Sequence, residues 1–326
     1  MSEKVSIIIP VYNQKKEFIV RCFESAVGQD YENIEIIFVD DDSTDDTFEF
    51  CQTLCKKYVN CKVIHQEHKR QGGARNTGIE AATGNYIFFL DSDDWIEKCT
   101  ISRLFSLIKK YHAQIAVCGC FRQTSNGEII KEPNEGKILV LDQFHALESY
   151  VFDTVYCNHS PCDKLYDAEL FANERFVENS YYEDLASVYK FVRHADTIVY
   201  TSEQLYCYYD NLNSTMHKPF SEHEFDKIKW YHEISEFFSI TDHKLYSAFI
   251  KEMDRQTVYC AINFVYKAFQ TSMTESLTLR IRDTREICKK IKSRIGFRLT
   301  ILRKLIICSP KLFIRVWRIY QKRQER

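Results

Sequence analysis

Short apolar runs alternate with segments of helical periodicity over the first 120 residues. The runs at 5–9 and 86–90 are continuous, which is typical of strands buried on both faces. Apolar side chains between the runs recur every three or four residues, which predicts amphipathic helices. Strands are predicted at 5–9, 35–39, 63–65, 86–90 and 115–118, and helices at 19–27, 47–58, 73–83 and 101–108. Repeated βα units of this kind predict an α/β fold with a mainly parallel sheet flanked by helices.

The regular alternation ends after Cys120. Asn126 and Gly127 lie between two short polar-apolar segments and predict a β-hairpin. The rest of the pattern predicts helices at 142–152, 168–172 and 182–194, strands at 197–200 and 205–209, and a helical region from 221 onward. The chain therefore divides into an α/β region, 1–220, and a helical C-terminal region, 221–326.

Polar loops follow four of the predicted strands. In an open α/β sheet the ligand site lies beyond the carboxyl ends of the strands, so these loops are expected to lie together. They comprise residues 10–13, 40–45, 68–76 and 91–95 and together carry seven carboxylates, which repel one another unless a cation or hydrogen-bond donors share the site.

Asp91 and Asp93 form an Asp-x-Asp pair directly after an apolar strand. Carboxylates in this position suit Mn²⁺ or Mg²⁺, which often bind through one or two protein carboxylates and substrate phosphate. The alternative is a solvated turn whose acids cap a helix, which would be preferred for an isolated pair. Arg70 and Arg75 fit a phosphate contact and an ion pair with the acidic loops about equally well.

With these loops in place, the chain resembles the family-two inverting glycosyltransferases of the GT-A fold. The resemblance rests on four segments in the expected order and spacing: 5–13 (VSIIIPVYN), 37–45 (IFVDDDSTD), 73–78 (GARNTG) and 89–94 (FLDSDD). It implies a GT-A domain at 1–220, with a donor-binding part at 1–120 and an acceptor-binding part at 121–220.

The resemblance also implies roles for individual residues. Asp41 would accept a hydrogen bond from the nucleotide base, usually uracil, and Arg75 would lie near the donor diphosphate. Asp93 would bind the metal ion, with Asp91 in support and nearer the ribose. The remaining residues assigned to the donor site are Pro10, Val11, Tyr12, Asn13, Gly73 and Ser92.

Asp42 occupies a position where the family usually has glycine. If the backbone there needs a positive φ, an aspartate is strained, although Asp tolerates that region better than most residues.

Three segments of the second half match less closely. Residues 163–166 (DKLY) resemble an Asn-Lys-Leu-Tyr segment of bacterial polysaccharide-forming members, with Asp163 in place of Asn. Residues 213–217 (NSTMH) resemble a Ser-containing loop near the donor phosphates, but the usual upstream Arg is absent and Asp210 lies near its place. Glu183 and Asp184 resemble the acidic pair that supplies the general base, and we assign the base to Asp184.

Charge is unevenly distributed along the chain. The formal net charge is −2, yet residues 281–326 hold 15 Lys and Arg against 3 Asp and Glu, which leaves −14 for residues 1–280. Residues 294–326 mix these cations with apolar and aromatic side chains, a composition typical of helices in an anionic membrane interface. Packing against the catalytic body or a second subunit, and hence homo-oligomerisation, is the alternative. Nucleic acid is not expected as a partner, because the acidic body would oppose it.

The 13 cysteines form no Cys-x-x-Cys pair, which argues against a zinc ribbon. The sequence also shows no signal-peptide pattern and no apolar run long enough to span a bilayer. We therefore expect a cytoplasmic protein with reduced thiols, in peripheral contact with the inner face of the plasma membrane where the tail binds lipid.

The sequence thus predicts a metal-dependent inverting glycosyltransferase. The resemblance implies a nucleotide-diphosphate donor, with UDP-sugar preferred, and a glycan or lipid-linked saccharide acceptor in cell-surface glycan synthesis. A non-catalytic nucleotide-sugar-binding or scaffolding subunit is the alternative. A dinucleotide-dependent oxidoreductase is a weaker alternative still, because no Gly-x-Gly-x-x-Gly follows the first strand.

Overall fold

The computed structural model describes residues 3–133, 136–211 and 220–324. The chain forms two compact units, Met1–His217 and Lys218–Arg326. Each is described separately below.

One mixed sheet runs through the first unit. Its strands are β1 Val5–Val11, β2 Ile34–Asp40, β3 Cys61–His65, β4 Tyr86–Phe89, β5 Trp95–Ile96, β6 Ile115–Gln123, β7 Ile129–Ile130, β8 Ile138–Asp142, β9 Lys164–Asp167 and β10 Thr197–Tyr209. Within the described residues the order is β3-β2-β1-β4-β9-β6-β10-β5, with β7 beside β6 and β8 beside β10.

Strands β1 to β4 pair in parallel, as predicted, whereas β5, β7, β8 and β9 pair antiparallel with their neighbours, so the sheet is mixed. Strand β2 pairs in parallel with β1 and β3, and β1 pairs in parallel with β4. Strand β9 is antiparallel to both β4 and β6, so it joins the first parallel group to the parallel pair β6 and β10. Every residue of β1 and β2 is buried, which explains why their sequences are continuous apolar runs.

Six α-helices and one 3₁₀ helix are found in the described part of this unit. They are α1 Lys16–Val27, α2 Thr47–Cys55, α3 Arg70–Ala81, α4 Thr100–Tyr111, α5 Gln143–Val151, the 3₁₀ helix Ala168–Phe171 and α6 Glu183–Val192. All were predicted, with ends that differ by a few residues. Helix α4 ends at His112 in the left-handed conformation (φ 51°).

Helix α3 packs unusually close to the sheet. A Cβ on Gly78 would lie 2.3 Å from the Cγ2 atom of Ile8 in β1, so only glycine fits there. This close approach sets the position of the side chains that α3 directs toward the strand ends.

The predictions for the second half of the sheet need correction. The strands predicted at 197–200 and 205–209 are one strand, β10, whose register with β6 shifts between Thr201 and Tyr206. A bulge of this kind interrupts the side-chain alternation and makes one strand resemble two. The hairpin predicted at Asn126 and Gly127 is confirmed by the antiparallel pairing of β6 and β7.

Cys55 and Cys61 form a disulfide, so the prediction that all thiols are reduced is wrong for this pair. The turn from α2 to β3 brings their Cα atoms within 5.1 Å, a normal separation for a bridged pair. Seven of the remaining cysteines are buried, consistent with their predicted role as small core residues: Cys22, Cys51, Cys118, Cys157, Cys162, Cys207 and Cys288.

The second unit is helical, as predicted. Its helices are α7 Glu224–Asp242, α8 Ser247–Ala268, α9 Glu275–Lys290, α10 Phe297–Cys308 and α11 Pro310–Gln324. Thr274 caps α9 by accepting a hydrogen bond from the backbone N–H of Leu277. Its core includes Ile228 of α7, Val265 of α8, Ile306 of α10 and Phe313 of α11. Among the described residues, no helix has both the length and the apolar character that crossing a membrane requires.

Candidate active site

The loops after β1 and β2 are tied together by side-chain hydrogen bonds. The Asn13 Oδ1 atom accepts a hydrogen bond of 2.8 Å from the Thr44 backbone N–H, and the Asn13 N–H donates to the Ser43 hydroxyl. Strand β1 supplies Pro10 and the buried Val11, whose carbonyl accepts from the backbone N–H of Asp41. The predicted meeting of these two loops is therefore confirmed.

Asp41 is held rigidly at the end of β2. Its carboxylate is almost fully buried, and its Oδ1 atom accepts hydrogen bonds from the Gln66 side chain (2.6 Å) and the Lys69 backbone N–H (2.8 Å). Its Oδ2 atom lies 2.9 Å from the Nδ1 atom of His68. These partners come from the segment after β3, so the third loop joins the same site.

Tyr12 presents an exposed side chain beside His68, which in turn contacts this carboxylate. Tyr12 is 48% exposed, and its ring lies 4.9 Å from the His68 ring, centroid to centroid. An exposed aromatic face next to a buried acceptor suits a planar, hydrogen-bonding heterocycle such as a nucleotide base.

Asp91 is the meeting point of β4 and α3. Its Oδ1 atom accepts hydrogen bonds of 3.0 Å from both the Gln71 side chain and the Arg75 guanidinium. Gln71 and Arg75 are four residues apart, so they lie on the same face of α3.

Arg75 connects this loop to helix α6. Its Nη1 atom lies 2.6 Å from the Glu183 carboxylate, while its Nη2 atom contacts Asp91. The guanidinium is only 2% exposed. Burial would lower the pKa of Arg75, but the two carboxylates outweigh burial and raise it above its ordinary value.

Glu183 and Asp184 begin α6 and lie in different environments. Burial raises the pKa of Glu183, and the Arg75 guanidinium acts against that rise. Asp184 is partly exposed, and its carboxylate accepts a hydrogen bond from the Leu185 backbone N–H. The residue before this pair, Tyr182, has a positive φ of 58°.

Asp93 lies in the same loop as Asp91 and is partly buried. Its Oδ2 atom accepts a hydrogen bond of 2.9 Å from the Asn211 side chain, and its backbone carbonyl accepts from Arg21. Burial raises the pKa of Asp93, and the nearby charge of Asp91 raises it further. A cation at this position would offset both effects.

Asp94 anchors the loop and is not directed at a ligand. Its carboxylate is 3% exposed and accepts hydrogen bonds from the Tyr206 hydroxyl (2.6 Å) and the Tyr209 backbone N–H (2.8 Å). Burial raises the pKa of Asp94 well above its ordinary value. The loop that holds Asp91 and Asp93 is thereby fixed to β10.

Positive φ angles occur repeatedly around the site. Asn13, Asp42 and Arg70 have φ values of 44°, 66° and 63°. The family usually has glycine at position 42, which suggested a left-handed backbone there, and Asp42 does adopt this conformation. Strained backbone of this kind often accompanies functional sites.

The two assigned residues with small side chains, Gly73 and Ser92, contact protein groups. A Cβ on Gly73 would lie 2.3 Å from the Lys69 side chain, and one on Gly72 would lie 2.3 Å from the Val177 carbonyl. Both glycines therefore lie in close contact with other protein atoms. The Ser92 hydroxyl accepts from the Gln14 side chain at 3.1 Å.

Asp163 is a structural residue within the described fold. It forms an ion pair with Lys164, and both side chains are essentially fully buried between β4 and β6. Asn158 donates to Asp163 and accepts from the Lys164 ammonium, so the pair is completed by further hydrogen bonds. Residues 213–217, the predicted Ser-containing loop, lie outside the described residues.

A metal ion would be held mainly by non-protein ligands. Within residues 3–133, 136–211 and 220–324, no three His, Cys, Asp or Glu side chains are arranged to hold a metal ion. Asp91 and Asp93 nevertheless fit the usual mode of Mg²⁺ and Mn²⁺, in which one or two carboxylates are combined with substrate phosphates and water. Metal binding therefore stays a prediction.

Sequence reasoning missed several residues of this site. They are Gln14, Arg21, Gln66, His68, Gln71, Tyr206 and Asn211. The spacing of Gln71 and Arg75 on one helix face was an available signal. The contact from β10 was not, because Tyr206 lies 112 residues from Asp94.

Comparison with known proteins gives a consistent set of similarities. The family described as "Glycosyl transferase family 2" matches residues 6–172. Glycosyltransferase GlyG of Streptococcus pneumoniae serotype 4 is 28% identical over 308 residues, which cover 90% of this chain and 96% of GlyG. Glycosyltransferase GlyA of the same organism is 31% identical over 64% of this chain, but that match covers only 31% of GlyA.

Solved structures of S. aureus TarS, residues 1–349, share the fold. One has a TM-score of 0.72 at 20% identity and covers 99% of this chain and 92% of TarS 1–349. Another, described as a complex with UDP-GlcNAc, has a TM-score of 0.70 at 21% identity, covering 97% and 91%. The predicted α/β fold with a helical C-terminal region is confirmed.

Proposed function

Because the chain belongs to glycosyl transferase family 2, we propose that it transfers a sugar from a uridine-diphosphate donor to an acceptor hydroxyl, with inversion at the anomeric carbon. The observation that carries this proposal is the Arg75 guanidinium, which contacts both Asp91 and Glu183. Through it, the Asp-x-Asp loop and the acidic pair of α6 border a single site.

The base of the donor would stack on Tyr12 and donate its imide N–H to Asp41. This assignment is supported by the 48% exposure of Tyr12 and by the burial of Asp41, since His68 contacts both residues. The Gln66 and Lys69 contacts hold Asp41 in one orientation, so a base could bind without further ordering of that side chain. The TarS complexes with UDP-GlcNAc and UDP also favour a uridine donor.

Asp93 and Asp91 would hold Mn²⁺ or Mg²⁺ together with the donor diphosphate. When bound, the cation would supply positive charge that stabilises the leaving nucleotide diphosphate. Gln71 and Arg75 keep the Asp91 carboxylate in place, and Asn211 does the same for Asp93.

Asp184 would act as the general base. It accepts the proton of the acceptor hydroxyl as that oxygen bonds to the anomeric carbon and the bond from carbon to the diphosphate oxygen breaks. Glu183 suits this role less well, because its carboxylate is buried against the Arg75 guanidinium. One displacement from the opposite face inverts the anomeric configuration, and no covalent intermediate is needed.

The acceptor class follows from the family resemblance alone. A glycan or lipid-linked saccharide in cell-surface glycan synthesis is the proposed acceptor, and a hexose or N-acetylhexosamine the proposed sugar. A non-catalytic nucleotide-sugar-binding subunit is the alternative function. Such a protein would bind the donor base through Tyr12 and Asp41 but would not transfer the sugar.

The test measures release of nucleotide diphosphate from a panel of UDP- and GDP-sugars, with and without Mn²⁺. Turnover of a UDP-sugar should require the metal and stop with EDTA. Asp93→Asn should lower turnover by roughly 100-fold or more, since it removes a charged metal ligand that acts on the leaving group. Circular dichroism should remain unchanged, because the side chain lies in a loop.

Asp30→Asn is the matched control, because Asp30 is exposed and precedes β2 rather than following it. It should keep full turnover. Undiminished activity in EDTA, or in Asp93→Asn, would contradict the metal assignment. Donor binding without turnover for any sugar would favour the non-catalytic alternative, and preference for GDP-sugars would contradict the uridine assignment.

A further inference from the structure

The outer face of helix α11 carries a stripe of apolar residues that are partly exposed. Leu312, Val316 and Ile319 are 47%, 37% and 59% exposed. They are spaced four and three residues apart, so they lie along one side of the helix.

A different face of α11 meets the core of the second unit. Phe313 and Ile314 are buried there, and Trp317 packs against the same cluster. The exposed stripe is therefore additional to the apolar surface that holds α11 in place. Between 37% and 59% of the surface of Leu312, Val316 and Ile319 is left uncovered.

Cations accompany the stripe along its whole length. Lys311, Arg315 and Arg318 are exposed, and each is adjacent in sequence to a residue of the stripe. Helix α10 repeats the pattern with an exposed series at Phe297, Ile301, Lys304 and Cys308, spaced as one helix face. No acidic residue occurs between residues 287 and 324.

We propose that the outer face of α11 lies in the interface of a membrane that contains anionic lipid. Aliphatic side chains of this kind enter the boundary between head groups and acyl chains, while the adjacent cations contact lipid phosphates. The helix would lie along the surface. This binding is independent of the reaction proposed above and needs neither donor nor metal.

Charge and side-chain chemistry favour lipid over two other partners. A second copy of this chain would bring the same cations face to face, which is unfavourable. Nucleic acid would pair with the cations, but it offers no apolar phase for Leu312, Val316 and Ile319.

Flotation of the full chain with vesicles tests the proposal. The wild type should float with vesicles of phosphatidylcholine and phosphatidylglycerol at low salt, and should float poorly with phosphatidylcholine alone. Replacing Lys311, Arg315 and Arg318 together by Gln should weaken binding on the order of 100-fold, since each cation near an anionic surface contributes about a factor of five. Replacing Leu312, Val316 and Ile319 together by Ser should weaken it by roughly tenfold, because less apolar surface is buried.

Ile240→Ser is the matched control, because Ile240 of α7 is 85% exposed but is not accompanied by a row of cations. It should float like the wild type, and all variants should keep their circular dichroism because the substituted side chains are exposed. The proposal would be overturned if the wild type does not float, or if it floats equally well with and without phosphatidylglycerol. A wild-type dimer in sedimentation that the Ser variant converts to monomer without any lipid binding would also overturn it.

Discussion

Arg75 illustrates how much of a site depends on one residue. The sequence left open whether it contacts phosphate or pairs with the acidic loops, and the family resemblance implied a position near the donor diphosphate. In the structure its guanidinium is almost wholly buried and contacts Asp91, 16 residues away, and Glu183, 108 residues away. Pairings over such distances leave no periodic signal along the chain, so sequence reasoning could identify the three residues but not their arrangement.

Neutralising substitutions of the two neighbouring acids of α6 should therefore have different effects, one on turnover and the other on stability. Asp184→Asn should lower kcat by about 10²–10⁴, the usual contribution of a general base, with little change in the KM of the donor. Glu183→Gln should instead destabilise the protein, because a buried guanidinium loses one of its two charged partners; the loss is about 3 kcal/mol. Steady-state kinetics and urea unfolding of both variants distinguish these effects.

A third variant separates catalysis from folding in this experiment. Glu178→Gln removes an exposed carboxylate that contacts Lys69 and Asn76 and takes no part in the ion pairs of Arg75. It should change neither kcat nor the free energy of unfolding strongly. If Glu183→Gln loses turnover while Asp184→Asn retains it, the assignment of the base must be exchanged between the two residues.

At the scale of elements, the strands predicted most reliably are those that hold the site. Strands β1, β2 and β4 are buried on both faces, so their apolar runs are continuous and their ends are sharply marked by polar loops. Strand β9 was missed because a buried lysine, Lys164, interrupts its apolar pattern and depends on Asp163 for compensation. A hydrophobic pattern does not reveal a strand that buries a polar side chain together with its partner. The partner satisfies the polar group, so a polar residue in the sequence no longer indicates an exposed position.

Helix α3 provides a prediction at this scale. Gly78→Ala should gain about 1 kcal/mol from helix propensity but lose about 1–3 kcal/mol from overpacking against Ile8, a fully buried β-branched residue. A net loss of stability is expected in urea unfolding. In a double-mutant cycle with Ile8→Ala, the combined loss should be smaller than the sum of the single losses, because the space vacated by Ile8 admits the new methyl group. Additive losses would show that the contact does not limit this position.

For the whole molecule, the sequence predicted two different halves and a charge asymmetry between body and tail. The helical unit contains a buried histidine that pattern reading did not reveal. His232 of α7 is 7% exposed, and its surroundings include Glu233, Glu236, Asp254 and Lys290. Burial lowers the pKa of His232, and the carboxylates only partly oppose this effect.

This histidine predicts how stability depends on pH. In the unfolded chain it takes up a proton near pH 6.5, whereas in the folded chain it does so only at lower pH. Between these two values the unfolded state binds more protons, so stability is complete above about pH 6.5 and is lost as the pH falls. Urea unfolding followed by helical circular dichroism should show this loss as the pH falls below about 6.5.

His232→Gln should show a smaller loss of stability over the same range, because its side chain does not titrate. His243→Gln is the control, since His243 is exposed in the same unit. If the wild type and His232→Gln have the same dependence on pH, His232 does not contribute to it.

The ion pairs of Arg75 also have a consequence for protein engineering. On the proposed division into a donor-binding part, 1–120, and an acceptor-binding part, 121–220, the two parts could be exchanged separately among relatives to combine one donor preference with another acceptor preference. Such a chimera would cut the network in two, because Arg75 and Asp91 come from one parent and Glu183 from the other. A recombinant without an acid at position 183 would leave the guanidinium with only Asp91. Compatibility at positions 75 and 183 should therefore decide which crossovers yield a folded protein, before donor or acceptor preference is even tested.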